Sequence, residues 1–266
     1  MATLAMGGSD RSVSIGRVFS RAFGTIGSNP IATLGISFLF GALPALGAAT
    51  LLQSATAQEL GVIGSLGVML VGLGSIVVSI VLAAVTQGAL VRATVAHSQG
   101  GTAGFAESAM AGLSMVVPLF IVALLSALGI GLGFALFLVP GVMLYCMWAV
   151  CAPALVEERL GPIEALRRSR YLTKGARWKV FGLVLVVLIS YWLFLGLIGV
   201  FSTAVFGEAA IGEAGFLNRS AGQLAVSAIM QTLSSAVWSV VLASLYVELR
   251  EWKDGPAADA LAEIFG

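Results

Sequence analysis

LSMVVPLFIVALLSALGIGLGFALFLVPGVMLYCMWAVCAPALV, Leu113 to Val156, is a run of 44 residues without one charged side chain. A helix crosses a hydrocarbon layer of roughly 30 Å in about 20 residues, so the run is too long for one crossing and suits two. Turn chemistry at Gly129, Gly131 and Gly133, and again at Pro140-Gly141, puts a hairpin between Gly131 and Pro140. Two membrane helices placed back to back decide the fold class.

Working outward, uncharged apolar runs also cover Pro30 to Leu52, Val62 to Val91, Val180 to Phe206 and Ala221 to Val247. With the central run counted twice this gives about six transmembrane helices and an all-α integral membrane protein. Composition agrees: 59% of the 266 residues are hydrophobic, 10% are charged, and the mean hydropathy is +1.02. A soluble domain carries roughly a quarter charged residues. The expected organisation is a cytoplasmic segment over 1–29 with an amphipathic helix, a six-helix domain over 30–249 and a cytoplasmic tail over 250–266.

Orientation follows from the basic residues, which favour the cytoplasmic ends of spans. With the N-terminus inside, 13 of the 14 Lys and Arg residues fall on inner segments, and only Arg219 falls outside. The outer loops carry Glu59, Glu208 and Glu213. Arg11, Arg17 and Arg21 interrupt the N-terminal region, so no cleaved signal peptide is expected and the first span serves as the insertion signal.

Ahead of the first span Ile15, Val18, Phe19, Ala22, Phe23 and Ile26 recur at helical spacing, with Arg17 and Arg21 off the stripe. That pattern predicts an amphipathic helix in the membrane interface, or an ordinary juxtamembrane helix with no binding role. Pro162 opens a second such segment, Ile163 to Lys174, and Thr102 to Gly112 is a weaker third. An interfacial helix followed by a transmembrane hairpin thus occurs three times, at unequal spacing.

Acid–base, nucleophilic or metal catalysis needs titratable groups gathered together, and this chain is poor in them. It has one histidine, His97, and two cysteines, Cys146 and Cys151, which lie five apart on a helix and point in different directions. Gly35-Ile36-Ser37 is a fragment of a membrane serine-hydrolase pattern but suits packing better. No span carries an ionisable residue in its central part, where ion-driven transporters place them; Arg92, Glu157, Glu158 and Glu248 sit at helix ends. No catalytic residue, metal site, cofactor or nucleic-acid partner is expected.

The spans do contain polar seams. In the last, Ser227, Gln231, Ser235, Ser239 and Ala243 fall four apart; in the second, Ser75, Ser79, Ala83 and Gln87 do the same. Small residues let helices approach closely, which favours packing, and the alternative is a cavity lining for a lipid headgroup or small solute. Gly129-x-x-x-Gly133 is a further packing motif. The inner loop EERLGPIEALRRSRYLTKGARWK, Glu157 to Lys179, holds seven basic and three acidic residues. Arg167, Arg168, Arg170 and Lys174 are the candidates for anionic lipid headgroups, and Glu157 and Glu158 are expected to pair with this cluster at the solvated surface.

The stretch Val139 to Leu183, VPGVMLYCMWAVCAPALVEERLGPIEALRRSRYLTKGARWKVFGL, resembles the membrane domain fused to some bacterial glycerophosphodiester phosphodiesterases and its stand-alone membrane-protein relatives. The shared features are Pro140-Gly141 opening a span, an acidic residue and glycine before EAL-x-RS, then L-x-x-G and the aromatic Trp178. The opening GRVFSRAFGTIGSNP is also similar to that family. The resemblance implies a bacterial inner-membrane module. The fused relatives hydrolyse substrate in a separate soluble barrel; spans and short loops take up the 266 residues here, so hydrolase activity is not implied. Two functions follow as expectations: a non-enzymatic module assisting unidentified protein partners in envelope or lipid metabolism through a basic inner face, or a small permease or lipid translocator using the two seams.

Overall fold

The computed structural model describes residues 13–57, 62–98, 101, 104–206 and 220–255. Arg11, Glu59, Thr102, Glu208, Glu213 and Arg219 lie outside the described residues, as do the ends of the chain. Among the described residues every regular element is a helix. They are α1 (Ile15–Ser28), α2 (Pro30–Ser37), a π-helical turn (Phe38–Ala42), α3 (Leu43–Ala57), α4 (Val62–Ser98), α5 (Phe105–Ser114), α6 (Val116–Leu136), α7 (Leu138–Trp148), α8 (Cys151–Glu158), α9 (Pro162–Thr173), α10 (Arg177–Phe206) and α11 (Ala221–Asp254).

Six helical stretches are long and apolar enough to cross a membrane: Pro30–Leu51, Leu66–Ser98, Val116–Leu136, Leu138–Glu158, Arg177–Val205 and Ala221–Asp254. The short helices α1, α5 and α9 each precede a pair of these stretches, which reproduces the threefold interfacial-helix and hairpin order. The protein is therefore an all-α, multi-pass membrane protein.

The hairpin in the central run breaks at Phe137, whose backbone is extended (φ −162°, ψ 158°). The glycines before it are not part of the turn. Gly129 and Gly133 lie inside α6 and give the returning helix room: a Cβ on Gly129 would stand 2.4 Å from the Trp148 ring, and one on Gly133 2.9 Å from the Cα of Gly141. At Gly133 the two backbones are close enough to admit no side chain, and at Gly129 the space is taken by the Trp148 ring.

The fourth span is interrupted at Ala149-Val150, which the sequence pattern did not predict. The break strands the Met147 carbonyl, and α9 supplies the missing donor. Ser169 Oγ donates to it at 2.8 Å, and Thr173 Oγ1 lies at 3.4 Å; both side chains are fully buried. A buried carbonyl left without a donor costs about 1–3 kcal/mol, so α9 completes the fourth span as well as lying beside it.

Burial is uneven along the spans. Toward one end, Val85, Ala89, Leu90, Val91, Leu155, Leu172, Leu183, Leu245 and Leu249 form the core. Toward the other, Leu70, Ile76, Leu128, Leu132, Leu193, Leu197 and Phe201 are exposed. The packed end is the one that α1, α5 and α9 cap. The exposed apolar faces are the surface that lipid covers, since in a bilayer burial between helices is not driven by water.

Ion pairs close the packed end, where the sequence reading placed charges at water-facing helix ends. Glu248 is instead buried, at 3% exposure, and accepts from Ser14 N–H at 3.0 Å and Arg17 Nε at 2.9 Å. Arg21 pairs with Glu251 at 3.0 Å. The arginines of α1 thus face α11, and Val18 and Ala22 of its predicted lipid stripe are buried in protein, together with Thr25. Hydrogen bonding to Glu248 raises the pKa of Arg17, so this anchor stays charged.

Candidate functional site

A cavity of about 890 Å³ lies between α1, the first span, α4, α10 and α11. The sequence shapes it at the π-helical turn. Pro44 has no N–H for the Phe40 carbonyl four residues earlier, and its ring crowds that carbonyl, so the helix widens. Leu43 N–H reaches back to Phe38 O in the π pattern. Phe40, Gly41, Pro44 and Ala45 from this widened segment form one wall. Gly41 lets α11 come close: a Cβ there would stand 3.1 Å from Ser235 Oγ.

The two polar seams meet in this cavity. Ser79, Ala83 and Gln87 enter from α4, and Gln231, Ser235 and Ser239 enter from α11. Ser75 and Ser227 lie beyond it and bond their own helix, donating to Gly72 O at 2.8 Å and Leu224 O at 2.9 Å. Ser235 does the same to Thr232 O at 3.2 Å while lining the cavity and packing on Gly41. Ser79, Gln87, Gln231 and Ser239 make no hydrogen bond to any described residue, so their polar atoms keep their capacity toward the cavity. Thr86 of α4, Ser190 of α10 and Ser234 of α11 add further hydroxyls, and Phe19 and Phe23 of α1, Val187, Tyr191 and Phe194 of α10, and Trp238 of α11 supply most of the apolar surface. These residues carried no sequence signal tying them to the seams. Pro44, inside an uncharged run, was the one mark that the wall is irregular.

The basic segment is α9. Gly161 N–H donates to Glu164 Oε2 at 3.1 Å, and Pro162 opens the helix. Ala165, Ser169, Leu172 and Thr173 face inward. The outward face carries Ile163, Arg167, Arg170, Tyr171 and Lys174, continued by Trp178, which is 85% exposed. Arg168 does not share that face. It bonds Glu158 at 2.8 Å and also pairs with Asp254, and the Tyr246 hydroxyl donates to Glu158 at 2.9 Å. Burial opposes the charge on Arg168, but hydrogen bonds to Asp254 and Glu158 more than reverse this and its pKa rises. The expected pairing of Glu158 with the basic cluster is thus present as a half-buried network, not a solvated surface pair. Glu157 instead approaches Arg250 at 3.9 Å.

Ser37 is fully buried, and Cys146 and Cys151 are free and buried. Among the described residues no group of three or more His, Cys, Asp or Glu side chains is placed to hold a metal ion. The model of the membrane domain of glycerophosphoryl diester phosphodiesterase matches residues 113–261, more than half the chain. The chain belongs to that membrane-domain family. No curated protein and no solved structure matches it. The match covers the second and third hairpins of this membrane domain, with α9 and the α11 seam inside it and the α4 seam before it.

Proposed function

We propose that this membrane domain is a non-enzymatic module of the bacterial cytoplasmic membrane, with both termini inside, that holds an amphiphile drawn from the bilayer and serves partners in lipid or envelope metabolism. The observation that carries the proposal is the convergence of both polar seams on one cavity. Hydrogen-bonding groups without protein partners are costly at membrane depth, and a mixed apolar and polar cavity of a few hundred to about 1,000 Å³ is the usual form of a small-molecule site. The orientation rests on the 13 inner basic residues. Translocation of the same amphiphile is the second reading, favoured by the seams lying on two different spans; protein-dependent lipid movement across reconstituted vesicles would select it.

The test is mass spectrometry of lipid retained by the purified protein. Ala83→Trp fills the cavity and should lower retained lipid several-fold, whereas Val117→Trp, at a position 64% exposed outside the cavity, should not. Equal retention by the parent and Ala83→Trp would remove the cavity from the proposal.

The outward face of α9 is proposed to rest on anionic headgroups, supported by Arg167, Arg170 and Lys174 between the apolar anchors Ile163 and Trp178. Changing the three to Gln should cost up to about 3 kcal/mol of attraction at roughly 1 kcal/mol each, visible at low salt and screened at high salt. Anionic lipid per protein at low ionic strength is the measurement, and an unchanged value would limit these residues to a role in insertion.

A further inference from the structure

We infer that the cavity selects a neutral glycerolipid, one whose polar part carries hydroxyl and ester groups but neither phosphate nor amine. The inference rests on the cavity being a lipid site, as proposed above, and adds the class of lipid.

The lining contains no charged side chain. The nearest cations in sequence to its α1 wall, Arg17 and Arg21, are tied to Glu248 and Glu251. A phosphate buried here would lose hydration without gaining a cation, which is unfavourable. An uncharged polar group meets no such barrier. It also has partners waiting: Ser79, Gln87, Gln231 and Ser239 offer hydroxyl and amide groups that bond no described residue. Ser75 and Ser227, off the cavity, and Ser235, at its wall, already turn their hydroxyls onto their own helices, which leaves these four seam residues with capacity for a ligand. Amide N–H and hydroxyl donors suit ester carbonyls, and the amide oxygens suit a free hydroxyl. Phe19, Phe40, Val187 and Phe194 give the acyl part an apolar wall. A volume of about 890 Å³ admits the glycerol region with part of a chain.

The same hydrogen-bonding chemistry could come from a lipid or from a free polyol, and the test separates them. Purified protein in a neutral detergent is incubated with labelled dioleoylglycerol or dioleoylphosphatidate, which differ only in the phosphate. High salt removes retention by the α9 face. Dioleoylglycerol should be retained about tenfold or more over phosphatidate, excess free glycerol should leave this unchanged, and Ala83→Trp should abolish it. Gln87→Leu with Gln231→Leu should weaken dioleoylglycerol retention about tenfold by removing two polar partners while preserving bulk; the comparison of the two lipids on the parent stands even if that variant folds poorly. Equal retention of both lipids, or preference for phosphatidate, overturns the inference while leaving a lipid cavity in place. Displacement by glycerol overturns it in favour of a small polyol. Retention of neither lipid overturns the inference and the cavity reading together.

Discussion

Replacing Glu158 by alanine should destabilise the protein by about 2–4 kcal/mol, the cost of breaking a half-buried charged network. Its carboxylate receives Arg168 and the hydroxyl of Tyr246, a side chain with no exposed surface. Alanine leaves that hydroxyl buried without an acceptor and leaves Arg168 with Asp254 alone. The figure stays below that for a fully buried pair because Arg168 and Glu158 retain 22% and 19% exposure, so solvent screens part of their attraction. At roughly 2–4 °C per kcal/mol, the melting temperature in detergent should fall by about 5–15 °C. Glu107→Ala is the control. Its pair with Arg92 is about half exposed on both sides, at 44% and 54%, and should shift melting very little. Equal shifts for the two variants would show that the network at the base of the bundle does not hold it together.

Replacing Gly112 by alanine should be at least as damaging. Its Cβ would stand 2.4 Å from the Val85 carbonyl oxygen and 3.0 Å from the Ala89 nitrogen, and Gly88 faces it across the same crossing. These are backbone atoms, which cannot rotate aside, so α5 must move away from α4. Overpacking costs about 1–3 kcal/mol where side chains can yield, and a backbone clash belongs at or above the top of that range. Gly131→Ala, with nothing within 4 Å of its added methyl, should be neutral or slightly stabilising. Size-exclusion profiles of fluorescent-protein fusions distinguish the outcomes. Gly112→Ala should lose its single sharp peak and Gly131→Ala should keep it; matching peaks would mean that the two helices are not in backbone contact.

The spans were legible because a bilayer makes a severe demand on composition: Leu113 to Val156 cannot be anything other than two crossings. The short helices α1 and α9 were legible from their periodicity and from Pro162. What periodicity cannot show is which neighbour a stripe meets. Val18 and Ala22 fit a lipid-facing helix and a protein-facing one equally well, and only the position of Glu248 decides between them. The break at Ala149-Val150 escaped for a related reason. Its stabilising donor, Ser169, is 22 residues away, so no local window contains both halves of the hydrogen bond. Gly112 was hidden among 33 glycines, since close approach is a property of two chains segments at once. For the site, the seams on α4 and α11 were visible as patterns, but their meeting was not. It depends on the widening at Pro44, which is local, and on the packing of α11 against α4, which only tertiary structure settles.

The manner in which α10 is held has a mechanical consequence. Its buried positions, Val180, Leu183 and Val187, lie in its first few turns, its principal neighbours are α7 and α11, and its remaining length is largely exposed. A rod clamped at one end and loaded along its side by acyl chains acts as a lever. Because Val187, Tyr191 and Phe194 are on the cavity wall, chain packing in the surrounding leaflet bears directly on the width of the site. Bilayers of different thickness and chain order would thus alter the width of this cavity with no change in any contact at the clamped end, making the lipid environment a mechanical input to the protein as well as its solvent.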